Sequence, residues 1–313
     1  MSQPHDAWPD LALPSLKATC DTLQLWSQVV GKVRLAQTPW LNHSWHVPLY
    51  VSAAGLTTGL IPHANGGFDM EFDFAADVLR VRGSRGRTAT VALVAQSMAD
   101  FYGATMEALE AIGAPVAIDL LPSELPDPIV AFPEDHAPRA YDREAAVAYW
   151  RALVRVDEVL KLFRTSFLGK CSPVHLFWGA FDLAVTRFSG RAAPPHPGGV
   201  PHLPDAVARE AYSHEVSSAG FWPGGDLGPT FYAYAYPEPP GFREAPVGPP
   251  GAAFDTGLGE YLLAYEAVRA APDPRAALMA FLTSTYAAAA DNAGWDREAL
   301  ECGFGKPGIP RGT

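Results

Sequence analysis

The sequence predicts an α+β chain, with antiparallel sheets and helices packed on them in two similar halves. Three observations lead there. Short strand-like segments separated by glycine turns crowd residues 45–94. Capped segments of helical period stand apart from them, and runs of strands followed by helices indicate α+β rather than a strict α/β alternation. The 48% hydrophobic content of 313 residues is ample for a large core.

Residues 1–14 are proline-rich and read as an extended lead. Residues 15–30 predict a helix, with Leu16, Leu23, Trp26 and Val30 roughly on one face. Residues 45–52, 55–61, 68–74, 78–82 and 88–94 read as five short strands joined by turns at Ala54-Gly55, Asn65-Gly66-Gly67 and Ser84-Arg85-Gly86, which makes a β-meander. Phe68, Met70, Phe72 and Phe74 face one side and Asp69, Glu71 and Asp73 the other. Ser97 with Asp100 resembles a capping box for a helix to about Ile112, stopped by Gly113. Residues 115–121 read as a strand and 122–141 as a loop. Asp142 is a suitable N-cap for a long helix to about Leu168, burying Tyr149, Trp150, Leu153, Val156, Leu160 and Phe163.

Residues 172–191 read as one long apolar strand that carries His175, Asp182, Thr186 and Arg187. Buried ionisable groups are costly unless partnered, so this strand points to an interior site. Strict alternation puts His175, Gly179 and Arg187 on one face and Trp178, Asp182 and Thr186 on the other. Residues 190–205 form an irregular proline- and glycine-rich loop. Strands follow over 212–221, 230–236 and 260–267, and Asp273-Pro274 opens a final helix to about Asn292. The halves divide at residues 1–135 and 136–313, joined in one compact unit. MADFYGATMEALEAIG and LMAFLTSTYAAAADNAGW share a rhythm but no residue-level repeat.

Charged residues make up only 18%, below the usual quarter, which fits much buried surface and a homo-oligomer interface. A net charge of −11 argues against nucleic acid as a partner. Cys20, Cys171 and Cys302 are odd in number and widely spaced, so they read as structural thiols. MSQPHDAWPD has neither a basic region nor an apolar run, and no segment has the length of a membrane span. A cytoplasmic protein without a membrane partner is expected.

GKVRLAQTPWLNHSWHVPLY, SPVHLFWGAFDLAVTRFSGR and EAYSHEVSSAGFWPGG resemble the signature stretches of a bacterial domain-of-unknown-function family. The resemblance runs from about Trp8 to Glu301 and implies one domain over nearly the whole chain. It carries no activity with it.

Candidate site residues come from the polar groups themselves. Glu210 and His214 share a face if residues 205–214 are helical, which suits an oriented general base, and Glu215 lies beside them. His175 is a further acid or ligand. Arg187 or Arg191 suits a substrate anion, with an internal carboxylate such as Glu71 or Asp73 as the alternative partner of Arg187. Tyr232 and Tyr234, with Trp178, Asp182 and Trp222, line a candidate small-molecule cavity between the sheet and residues 190–225. His43-x-x-His46, joined by His63, is a candidate metal set, although an extended strand turns the first two rings apart. The cofactor is none, or one divalent metal. No nucleophile elbow, phosphate-binding loop or zincin helix occurs. The reading preferred is an enzyme acting on a small organic molecule through a His/Glu/Arg pocket. The alternatives are a non-catalytic small-molecule binder and a scaffold that buries an aromatic interface.

Overall fold

A computed structural model describes residues 8–311. The extended lead is seen from Trp8, and its first seven residues lie outside the described ones. Helix α1 (Leu16–Gln37) continues about two turns past the expected end and stops at Thr38, which is extended because Pro39 follows. A short 3-10 turn, Asn42–Ser44, runs on into a turn over 45–47 where the first strand was expected to start, and His43 and Ser44 have φ of 58° and 57°. The strand shrinks to β1 (Tyr50–Val51). It is followed by β2 (Gly55–Thr57), β3 (Phe68–Asp73), β4 (Val78–Gly83) and β5 (Thr88–Ala92), in the spatial order β1-β2-β3-β4-β5, a meander as expected. Phe68, Met70, Phe72 and Phe74 are buried. The acidic face of β3 meets arginines across β4, where Arg82 binds Asp69 and Glu71, and Arg80 binds Asp73. Glu71 and Asp73 are therefore engaged within their own sheet.

Helix α2 (Met98–Ala111) begins at Ser97, whose hydroxyl accepts the Asp100 N–H at 3.1 Å. Residues 115–121 run without a strand partner, so the strand expected there is absent: an extended segment needs a neighbour to ladder with. Helix α3 (Arg143–Thr165) is capped by Asp142, which accepts the Ala145 N–H at 2.8 Å. It buries Tyr149, Leu153, Val156, Leu160 and Phe163, whereas Trp150 is half-buried and donates to the Ser52 carbonyl of the first sheet at 3.2 Å.

The segment read as one long strand is a hairpin. Strand β6 (His175–Phe177) turns through residues 178–181, with Phe181 at φ 61°, into β7 (Asp182–Ala192). The turn resets the alternation: His175 pairs with Ala184 and Phe177 with Asp182, so His175, Asp182 and Thr186 share one face and Arg187 lies on the other. Helix α4 (Asp205–Ala211) leads into β8 (His214–Trp222), and β9 (Thr230–Tyr236) lies where expected. A short edge strand, β10 (Ala253–Asp255), precedes β11 (Glu260–Ala264), and the residues after Ala264 turn into helix α5 (Tyr265–Arg269) instead of extending the strand. Helix α6 (Pro274–Asn292) has its N-cap at Asp273, and a last turn, α7 (Arg297–Leu300), follows. The second sheet is wholly antiparallel, in the order β10-β11-β9-β8-β7-β6.

The helices position the site. Leu183, Val185, Ala219, Phe221, Phe231 and Leu263 are buried on the face of the second sheet that α3 and α6 cover. Tyr149 of α3 stacks on Phe181 and Phe221 at 5.8 and 5.9 Å. On the side of the first sheet, Trp26 of α1 stacks on Phe101 of α2 at 4.7 Å. Each such fully buried ring contributes roughly 2–3 kcal/mol through burial alone. A bridge between Leu49 and Leu176 ties the two sheets together. The opposite face of the second sheet is left to a cavity.

Candidate functional site

The floor of the cavity follows from strand register. Asp182, Thr186 and Phe188 of β7 lie opposite Val216 and Trp222 of β8, then Tyr232 and Tyr234 of β9, then Glu260 of β11, all on the face turned from α3. The wall comes from Lys32 of α1, the turn at His43–Trp45, and residues 119–124. The roof is the stretch from Val200 to Tyr212, which includes α4. The space is partly open to solvent, about 670 Å³ and mostly apolar, within the usual size of small-molecule sites. A smaller polar cleft of about 420 Å³, lined by Arg85 and Arg87, lies at the turns of the first sheet.

Four carboxyl groups line this mostly apolar space, Asp119, Glu124, Asp182 and Glu260, and burial raises the pKa of the last three. Burial pushes Asp182 up to about 6, and the Tyr232 hydroxyl, which donates to its Oδ2, opposes the shift. Burial also raises Glu124 to about 7; Asp182 adds to the push and Lys32 opposes it. Glu260 rises to about 7 from burial, then from the charges of Asp182 and Asp255. Among the described residues no hydrogen bond reaches the Glu124 or Glu260 carboxyl groups. Two glycines permit the arrangement. A Cβ on Gly179 would stand 2.0 Å from Glu124 Oε1, and one on Gly220 would stand 2.6 Å from the Tyr232 hydroxyl. Lys32 is buried; its ammonium donates to Ser123 Oγ at 3.0 Å and lies 3.7 Å from Asp119, while burial pulls its pKa down. The hydroxyls continue the polar line: Tyr212 bonds Tyr234 at 2.9 Å, and Thr186 bonds Ser218 at 2.8 Å.

Backbone strain gathers here as well. Six non-glycine residues among those described have positive φ, and four of them, His43, Ser44, Glu124 and His202, line the cavity. Such conformations persist only where the surroundings over-determine them.

Of the residues expected at the site, Trp178, Asp182, Trp222, Tyr232 and Tyr234 do line the cavity. Trp178 is held by its indole N–H, which donates to the Val47 carbonyl at 3.2 Å. The remaining candidates are not gathered there. Arg187 lies on the helix-covered face, where it donates to the Phe163 carbonyl and to Ser166 Oγ; its guanidinium sits 3.5 Å from the Phe163 ring centre and 4.4 Å from that of Tyr286. It pairs with neither Glu71 nor Asp73. Arg191 binds Glu215 at 2.7 Å and donates to the Ala293 and Gly294 carbonyls at the end of α6. Glu210 accepts from the Trp40 indole and His214 contacts Ser213, so they do not form the expected carboxylate–imidazole pair. His175 is 1% exposed, and neither ring nitrogen has a hydrogen-bond partner among the described residues. Burial, then the charges of Arg34 and Arg164, pull it down to about 3.

The candidate metal set also disperses. His43 lines the cavity, but its Nδ1 meets the Ala211 carbonyl at 2.9 Å and its Nε2 meets the Lys170 ammonium at 2.6 Å. Burial lowers its pKa, which suits the neutral ring that accepts from lysine. His46 Nδ1 accepts the Leu41 N–H, and His63 Nδ1 accepts the Asn65 N–H at a turn of the first sheet. No group of three or more His, Cys, Asp or Glu side chains placed to hold a metal occurs among the described residues.

Sequence reasoning missed Lys32, Glu124, Tyr212 and Glu260. Glu124 sits in a proline-rich stretch that reads as a loop, and Glu260 at a strand start. Lys32 carried a signal: it is a lysine within the apolar run of α1.

No helix among the described residues is long and apolar enough to cross a membrane. No curated protein and no solved structure matches the chain. A family model matches residues 8–302, nearly the whole described length, and the chain thus belongs to the family of unknown function DUF5996.

Proposed function

We propose that this protein is an enzyme that moves protons on a small organic molecule held in the 670 Å³ cavity. Asp182, Glu124 and Glu260 are the acid–base groups, and the Tyr232 hydroxyl orients Asp182. The observation that carries the reading is the set of three carboxyl groups held in one apolar space with pKa values of about 6 to 7. Near neutral pH such a set holds a proton on one member while another is free to accept one, the condition general acid–base catalysis requires. The values belong to the coupled set rather than to any one member. His175, Glu210, His214 and Glu215 have no part in it, because each is buried alone or held by its own neighbours.

Non-catalytic binding of a small molecule is the second reading, favoured by the aromatic and mostly apolar lining. The scaffold reading is weaker, because Tyr232 and Tyr234 look into the cavity rather than outward.

The test is incubation with a defined mixture of small amines, sugars and hydroxy acids, followed by NMR. Depletion of a component is expected, reduced roughly 100-fold or more in Asp182→Asn. Binding of a component without its conversion would support the second reading and overturn the first.

A further inference from the structure

We infer that the ligand of this cavity is an organic cation, an amine or quaternary ammonium with an apolar body. This rests on the reading that the cavity takes a small molecule.

Charge is the first argument. Asp182 is acted on by Tyr232 and its own backbone, and Glu260 by Asp182 and Asp255, with no cationic side chain among the principal influences on either. Lys32 is shared between Asp119, Ser123 and Glu124 at the α1 corner. Among the described residues no arginine lines the cavity, so the fork that usually receives a carboxylate or phosphate is missing from them. When ionised, the carboxyl groups leave an excess of negative charge in a poorly solvated space. An incoming cation would neutralise it, whereas an anion would add to it.

Ring faces are the second argument. Trp178, Trp222, Tyr232 and Tyr234 line the same space, with Tyr232 and Tyr234 stacked at 6.1 Å. Aromatic faces attract a poorly hydrated cation, most strongly out of water. Glu124 and Glu260 add carboxyl groups that no donor among the described residues uses, and these could accept the N–H groups of an ammonium. Together the two features describe a box for a positive head with a greasy remainder.

The experiment compares three probes of one shape at pH 8: phenethylamine, 2-phenylethanol and phenylacetate, each titrated calorimetrically into the intact protein. Phenethylamine is expected to bind at least tenfold more tightly than the alcohol, and phenylacetate more weakly still. Glu260→Gln should cut the advantage of the amine over the alcohol at least fivefold; Glu124→Gln serves the same purpose if the first variant does not fold. Equal or tighter binding of the alcohol or of phenylacetate overturns the cation inference and leaves the small-molecule reading standing. Failure of all three probes to bind overturns both.

Discussion

Asp182, Glu124 and Glu260 are acids whose folded pKa values lie above their ordinary ones, and that fixes the sign of their effect on stability. The folded state holds protons that the unfolded chain releases, so their contribution is fully present below about pH 4 and is lost as pH rises through about 6 to 7. Glu124→Gln should therefore gain on the wild type between pH 5 and pH 8, by on the order of 1–3 kcal/mol; urea unfolding at the two pH values measures it, and an unchanged difference would refute the assignment. His175 behaves in the opposite sense. Its folded value of about 3 lies below the ordinary one, so its contribution is present above about pH 6.5 and is lost as pH falls toward 3. His175→Leu should withstand acid better, narrowing the stability loss between pH 7 and pH 5 by about 2 kcal/mol. Acid unfolding curves of the two proteins that superimpose would show that the ring finds a partner.

Among the elements, the β6–β7 hairpin decides what the site contains. Arg187 of β7 fastens the end of α3 through the Phe163 carbonyl and the Ser166 hydroxyl. Arg187→Ala should cost about 3 kcal/mol or more, because it empties a packed position and strands those acceptors. Cavity ligands should still bind the folded fraction; loss of binding in a folded variant would return Arg187 to the site. The hairpin also marks the limit of what the sequence makes legible. Caps at Ser97, Asp142 and Asp273, the β3 alternation and the β9 strand are local signals, and they read correctly. The turn at 178–181 has no Asn-Gly or Pro-Gly mark, since its left-handed residue is Phe181, held by burial rather than by propensity. A missed turn inverts every face beyond it, which is why His175 and Arg187 seemed to look the same way. Glu124 and Glu260 were illegible for a different reason: they reach Asp182 from distant parts of the chain, and nothing local records that approach.

At the scale of the molecule, α3 touches both sheets, and one apolar cluster runs from Trp8 to Trp295. Heating should accordingly give a single calorimetric transition; two separable transitions would show halves that fold independently. A cavity ligand should raise that transition as a whole, since its walls are drawn from α1, the second sheet and the loops between.

The left-handed backbone at His43, Ser44, Glu124 and His202 carries a consequence for how the protein can change. Glycine at any of these places would relax the chain, yet it would delete a side chain from the cavity wall. A population screened for heat tolerance alone should accumulate glycine or asparagine there and lose its ligand as it hardens. One screened for ligand retention should keep the bulky residues and remain the more fragile lineage.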